Sequence, residues 1–340
     1  MKSRKHWQDR AIDRTVRAEM LGVELMGKVL PVYDEALRQI NKDINKLYTN
    51  YADKVGLDVV ELTKVLTGAD RNNFIKEVKK SMKVVGLNVN DIYDENYIVR
   101  LNRLEALKQQ IYWKVQEITP KIQTIETGGF KKVVDDSYIV ASEDIREQMG
   151  DVYSRGGTFN RLNDDMIDDV LASKWVGGNY MTRTGVNMDR FAVKVRDVVG
   201  SGLSAGISQE KMTRNIRERF DVVKYDTMRI VRTETNYFQN QSELLSYENE
   251  GVEYYEYVAV MDGRTSDICE KLDNKVFKIS EAVAGENYPP MHPNCRSTTV
   301  VSDEDSYIAG GGVVEEEVKG DPYGDLYKTQ IEGLRGEGWK

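Results

Sequence analysis

Apolar residues recur along the first half of the chain at the spacing of a helix face. Tyr33, Leu37, Ile40, Ile44, Leu47, Tyr51 and Val55 are separated by 4, 3, 4, 3, 4 and 4 positions, which draws one seam down a long helix. Pro31 suits the first turn of that helix, where a missing amide hydrogen costs nothing. A helix rich in Arg and Met is predicted before it, from about Trp7 to Val29. Asp58 reads as the N-cap of a short helix ending near Gly68, and Asp70 as the cap of another ending at Gly86. A second seam follows through Ile98, Leu101, Leu104, Leu107, Ile111, Val115 and Ile118, with Pro120 expected to stop it. Amphipathic helices are held mainly by packing on one another. Residues 1–150 are therefore predicted to form a helical arm or antiparallel bundle.

From about Tyr153 the texture changes. Gly156-Gly157 and Gly177-Gly178 punctuate the chain, and shorter helices are predicted over Asn163 to Ser173, Asn187 to Ala205 and Ser208 to Phe220. A longer one is predicted from Lys224 to Asn249, with Met228, Val231, Thr235, Phe238, Ser242 and Leu245 inward and Gly251 closing it. Beyond Gly251 the residues are β-branched and aromatic. Val252 to Val260, Val276 to Ile279 and Arg296 to Val301 read as three strands. The tail from Ser302 carries Gly310-Gly311-Gly312 and Glu315-Glu316-Glu317, a composition expected to be flexible or to order only on a partner. The fold class expected is α+β and predominantly helical, with a small antiparallel β-unit near the C-terminus.

Composition narrows the function classes. Lys and Arg number 48 against 56 Asp and Glu, a net charge of −8, which argues against a general affinity for phosphate backbones. Lys2, Arg4, Lys5, Arg10, Arg14 and Arg17 crowd the first 17 positions. They suit either a solvated helix face or a contact to DNA or an acidic partner. No apolar run reaches the ~18 residues of a membrane span, and the N-terminus shows no secretory pattern. With two cysteines a disulfide scaffold is excluded, and a soluble protein made in a reducing cytoplasm is expected.

The rare residues gather in one place. Both cysteines, one of the two histidines and three of the six prolines lie between Asp262 and Arg296. His292 and Cys295 sit three apart across Pro293, and Cys269 can return to them across a hairpin. Zinc takes four such ligands, with Asp262 or Asp267 available as the fourth. The plain alternative is a β-unit whose turns are locked by Pro289, Pro290 and Pro293, with both thiols packed and inert. A catalytic Cys–His pair needs a third orienting group and an exposed, low-pKa thiol, for which the sequence offers no sign. On the preceding helix, Arg232 and Glu234 stand about 200° apart and flank the buried seam. Arg232 can reach a backbone carbonyl or Asp262, and Glu234 can accept from Arg264 or Arg296, fixing helix against β-unit. A metal-dependent or RNase-like enzyme using His292, Glu234 and Arg232 is the functional alternative.

Taken in order, Arg232-Thr233-Glu234, an aromatic strand, Asp262-x-Arg264-Thr265-x-x-x-x-Cys269 and Pro289-Pro290-x-His292-Pro293-x-Cys295-Arg296 resemble the phage head morphogenesis domain. This is the Mu F-like, or SPP1 gp7-like, minor head protein family of tailed bacteriophages. The likeness runs from about Asn163 to Val301, including Trp175 and the Gly202-Leu203-x-x-Gly206-x-Ser208 turn. It implies a domain at 151–301 in which Arg232, Glu234, Asp262, Arg264, Pro290, Pro293 and Arg296 are structural, after the arm at 1–150 and before the tail at 302–340. It further implies a virion protein rather than an enzyme, without a required cofactor. Its expected place is the phage head interior or the portal vertex. The expected partners are the portal protein, scaffold or capsid protein and packaged DNA, with roles in head assembly, DNA packaging or genome ejection. The tail is too short for the C-terminal toxin domain that some relatives carry.

Overall fold

The computed structural model describes residues 3–51, 58–149 and 161–308. The predicted features at Val55, Tyr153, Gly156-Gly157 and the glycine-rich and acidic tail lie outside them, as does the side chain of Tyr51. Among the described residues the chain forms α1 (Arg4–Tyr51), α2 (Val59–Thr63), α3 (Gly68–Val84), α4 (Val89–Ile92), α5 (Glu95–Arg100), α6 (Arg103–Met149), α7 (Asp164–Ala172), α8 (Tyr180–Ser204) and α9 (Gln209–Glu250). Then come β1 (Tyr254–Val258), α10 (Asp267–Leu272), β2 (Val276–Lys278), a turn of 3₁₀-helix, β3 (Thr298–Ser302) and α11 (Glu304–Ile308). The fold is α+β and mostly helical, as expected.

Both prolines expected at helix boundaries lie inside helices instead, Pro31 in α1 and Pro120 in α6. An interior proline forfeits a backbone hydrogen bond at about 3 kcal/mol. Here burial on both flanks outweighs that cost. Val29 and Tyr33 bracket Pro31 and are fully buried, and Thr119 and Ile122 beside Pro120 are buried too, at about 1.5–3 kcal/mol for each large apolar side chain. The helices predicted at Ser208 to Phe220 and Lys224 to Asn249 are likewise one, α9. The link Asp221-Val222-Val223 holds no breaker, and Val223 is buried. The seam drawn from Ile98 to Ile118 is divided between α5 and α6. Asn102 caps α6 through the Glu105 amide at 2.8 Å, and an isolated bridge pairs it with Val65. Thr67, not Asp70, caps α3: its hydroxyl accepts from the Asp70 amide at 3.2 Å and donates to the Asp70 carboxylate at 2.8 Å. Asp58 is found as the expected cap, although α2 ends at Thr63 rather than near Gly68, and Asn163, at the start of the helix expected to Ser173, caps α7.

The described residues of Met1–Met26, Thr127–Tyr180 and Arg229–Lys340 form one compact unit, and those of Gly27–Glu126 with Met181–Met228 a second. These units are assembled from separate stretches of chain, unlike the linear division at 150/151, whose two residues lie outside the description.

In the second unit, Tyr33, Phe191 and Phe220 pack edge to face. The Tyr33 hydroxyl meets Thr227 Oγ1 at 2.7 Å, and Tyr33 Oη lies 3.1 Å from Met188 Sδ. The Gly202-to-Ser208 turn ends α8. Gly206 takes φ +63°, its amide bonds Leu203 O at 3.1 Å and the Ile207 amide bonds Gly202 O at 3.1 Å, a Schellman closure. Ser208 then accepts from the Lys211 amide at 3.3 Å and opens α9.

In the first unit the sheet runs β2-β1-β3, all antiparallel, with Tyr255 opposite Phe277 and Val301. Central β1 is buried on both faces, so four of its five residues are inaccessible and no period of two survives. Tyr257 and Ala259 pack with Cys269 and Cys295, while Val258 and Val300 pack with Trp7 and Ala11 of α1. The chain after Ser302 is helical as far as Ile308, where Tyr307 lies on Tyr254 at 5.2 Å between centroids. The same unit offers a paired test on α6. A Cβ at Gly129 would meet the buried Leu25 side chain at 2.7–3.0 Å, whereas one at Gly128 meets nothing within 4 Å. Gly128→Ala is expected to raise thermal stability by about 0.5–1 kcal/mol. Gly129→Ala should lower it by about 1–3 kcal/mol through overpacking, as read from denaturant midpoints of the two variants.

Candidate functional site

Asp262, Arg264, Thr265 and Arg296 close one turn after β1. The Asp262 carboxylate accepts from the Arg264 amide at 2.7 Å, and the Asp262 amide donates to Thr265 Oγ1 at 2.8 Å. Thr265 Oγ1 in turn donates to Val260 O at 2.6 Å. Arg296, 34 residues on, lays its guanidinium fork across the same carboxylate, with Nη2 2.6 Å from Oδ1 and Nη1 2.5 Å from Oδ2. The Asp262 side chain is 3% exposed and that of Arg296 11%. Burial alone would push Asp262 up; the Arg296 fork, helped by Arg264, outweighs it and holds the carboxyl well below the usual range. Glu19 of α1 stands beside this cluster. Desolvation raises its carboxyl, and Arg232, Arg296 and Arg264 pull it back.

Asp262 is thereby paired with arginine and is not among the donors gathered with the cysteines, and its direct partners are Arg296 and Arg264. The helix–sheet junction also runs through Thr233, Asn236 and Asn240 of α9. Thr233 Oγ1 accepts from the Asn294 amide at 3.0 Å and donates to Arg229 O at 2.7 Å. Asn236 and Asn240 both donate to Ser297 O, at 3.1 and 3.2 Å. Glu234 itself is 1% exposed. Each of these polar side chains lies within a stretch, Thr233 to Asn240, that is buried throughout, and only such a wholly buried polar run would have flagged them.

The second cluster is formed by Cys269, His292 and Cys295, whose donor atoms lie within 4.8 Å of one another. Cys269 sits in the first turn of α10, capped by Ser266, whose Oγ accepts from the Cys269 amide at 3.3 Å. His292 and Cys295 come from the turn after Pro290, where the Pro289-Pro290 bond is cis and Asn294 has φ +61°. The Cys269 and Cys295 sulfurs are 3.7 Å apart, and His292 Nε2 is 3.3 Å from Cys269 Sγ and 2.8 Å from Ser266 Oγ. The Tyr257 hydroxyl donates to Cys269 Sγ at 3.3 Å. Hydrogen bonding from Cys295 lowers the Cys269 thiol against the opposing effect of burial. Cys295, bonded to Cys269 and buried, is raised. Asp267 is exposed and is not among the gathered donors.

Deeper in the same unit lies an ionic group that no sequence pattern announced. Arg14 of α1, 7% exposed, donates through Nε to Glu243 at 2.9 Å, through Nη1 to Asp144 at 2.6 Å and through Nη2 to Thr299 O at 3.1 Å. Glu243 also accepts from Gln239 at 3.1 Å and from Thr298 at 3.0 Å. Burial by itself would lower Arg14; the Glu243 carboxylate more than reverses that and raises it. At the surface of this group Arg10 adds a further bond to Asp144. The basic N-terminal residues are thus divided: Arg4 is bound to buried Glu256 and Arg14 is internal, while Arg17 pairs with Asp136 at the surface.

Residues 193–300 match the family described as Phage Mu protein F like protein. Among curated proteins, the putative capsid assembly protein F of Escherichia phage Mu is 27% identical over 126 residues, 30% of this chain. The match spans 29% of that relative's length. No solved structure matches the chain. Arg232, Glu234, Asp262, Arg264, Cys269, Pro290, His292, Pro293 and Cys295 all fall inside the matched segment, as does Arg296. Among the described residues no helix is long and apolar enough to cross a membrane.

Proposed function

We propose that this protein is a minor head protein of a tailed bacteriophage, which binds the portal during procapsid assembly and aids DNA packaging or genome delivery. The observation that carries the reading is the Asp262–Arg296 closure. Motif residues of a capsid-assembly family are used here to hold a turn shut, with their charges satisfied inside the protein. The second reading, an enzyme using His292, Glu234 and Arg232, gains less support. His292 Nε2 faces Cys269 and Ser266, and Glu234 is buried on α9.

Co-expression of the full chain with the portal protein of the same phage is expected to yield a complex that survives gel filtration. A phage lacking this protein should make fewer DNA-filled heads. Absence of both effects overturns the reading, as does nuclease activity of the purified chain that His292→Ala abolishes. Removing residues 1–120 is not a suitable way to map the portal contact. That deletion takes Arg4, Gln8 and Arg14 out of the unit that holds the motif, where they bond Glu256, Asn274, Asp144 and Glu243. Charge reversals on the exposed side of α3 or α6 leave those bonds in place.

A further inference from the structure

We propose that Cys269, His292 and Cys295 bind one zinc ion, with a water molecule in the fourth position, and that the ion ties α10 to the turn carrying His292 and Cys295. The site stands apart from head assembly, and five features of the cluster support it.

The spacing fits first. Zinc bonds thiolate sulfur at about 2.3 Å and imidazole nitrogen at about 2.0–2.1 Å, so a tetrahedral ion sets its ligand atoms about 3.8 Å apart for two sulfurs and about 3.6 Å for sulfur and nitrogen. The protein holds Cys269 Sγ 3.7 Å from Cys295 Sγ and 3.3 Å from His292 Nε2, with all three atoms inside 4.8 Å. The two measured pairs are within about 0.3 Å of those separations. A disulfide at about 2.05 Å would require the sulfurs to close by more than 1.5 Å.

The imidazole is also oriented for the purpose. His292 Nδ1 lies 3.0 Å from Pro293 O; a proton on Nδ1 donates there and leaves the Nε2 lone pair facing the sulfurs. A backbone carbonyl behind a ligating histidine is the usual outer partner of a metal site. Sulfur is supported in the same way: the Tyr257 hydroxyl donates to Cys269 Sγ at 3.3 Å, as outer donors do for a bound thiolate. Both cysteines are 3% exposed while His292 is half-buried. The sulfurs are therefore shielded, and solvent reaches the site from the imidazole side, where the fourth ligand would sit. Two thiolates and an imidazole are a soft set, which selects zinc over the hard cations magnesium and calcium.

The test uses the full chain purified under reducing conditions, incubated with zinc chloride and desalted. Elemental analysis should find close to one zinc per chain. Cys269→Ser, Cys295→Ser and His292→Ala should each lose at least tenfold in zinc retention, while His6→Ala, which alters the chain's other histidine, keeps it. A cobalt-loaded sample should show the intense thiolate-to-metal charge-transfer absorption, absent from Cys295→Ser. Should a cysteine variant fail to fold, the wild-type chain decides alone: removal of zinc by a chelator lowers its melting temperature and re-addition restores it. Folded wild-type protein holding less than a tenth of an equivalent of zinc overturns the proposal. So does a Cys269–Cys295 disulfide in the reduced preparation, or full zinc retention by the Cys295→Ser variant.

Discussion

Replacing Arg14 with methionine is expected to cost about 3–5 kcal/mol, the loss seen when one member of a buried ion group is removed. The guanidinium stands between two carboxylates that are themselves shut away from water, Glu243 at 0% and Asp144 at 3% exposure. Methionine fills much the same volume but leaves both anions without their shared cation, and leaves Thr299 O without its donor. Arg14→Lys should fall between, because a point charge reaches one carboxylate well and cannot supply three directed donors. A triple change, Arg14→Met with Asp144→Asn and Glu243→Gln, should recover much of the loss, since no uncompensated charge remains. Chemical denaturation of the four proteins measures this directly. A loss under about 1 kcal/mol for Arg14→Met would show that water or another cation reaches the group.

The second large effect is expected at Arg296. Its fork neutralises Asp262 within a turn that also orders Arg264 and Thr265, so Arg296→Met should destabilise the motif-bearing unit by about 3 kcal/mol. The pH dependence separates this from simple loss of packing. Asp262 has a folded pKa below the ~3.9 of an unfolded aspartate. The unfolded chain therefore binds the proton more readily, and the stabilisation is complete above about pH 4 and fades as pH falls toward the folded value. Arg296→Met should remove that acid limb, because without the fork the carboxyl returns toward or above its ordinary range. Asp262→Asn should flatten the same limb and lower stability at pH 7, because the amide cannot accept from both arginines through both of its terminal atoms. Melting temperatures from pH 3 to pH 7 for the three proteins give the comparison. Parallel curves would mean that the pair contributes packing and not charge.

Much of this architecture was legible beforehand, for identifiable reasons. Tyr33, Ile40, Ile44 and Leu47 are buried as their spacing required. Gly251 closes α9, with the Val252 amide bonded to Tyr247 O at 2.9 Å. The three strands appear within two residues of their expected cores, except that β1 is shorter at both ends. Cys269, His292 and Cys295 do meet. What escaped were consequences of tertiary packing. Pro31 and Pro120 obey local rules that burial on both sides overrides. Met228 and Leu245 sit only half inside, because α9 is covered on every side around Thr233 to Asn240 and a single stripe no longer describes it. Arg14, Asp144 and Glu243 carry no shared spacing, being 130 and 229 residues apart along the chain. In sequence they are three ordinary surface charges.

The order of synthesis gives the N-terminal segment a particular history. Arg4 must find Glu256 across 252 residues, and Arg14 must find Thr299 across 285. At a ribosomal pace of about 5–20 residues per second, the first turns of α1 exist for on the order of 15–60 s before β3 has been made. For most of that interval Trp7 and Ala11 have neither Val258 nor Val300 to cover them, and Arg14 has no Glu243. The motif-bearing unit closes only when the last of its strands arrives, so nearly the whole chain is made before any of this unit can be finished.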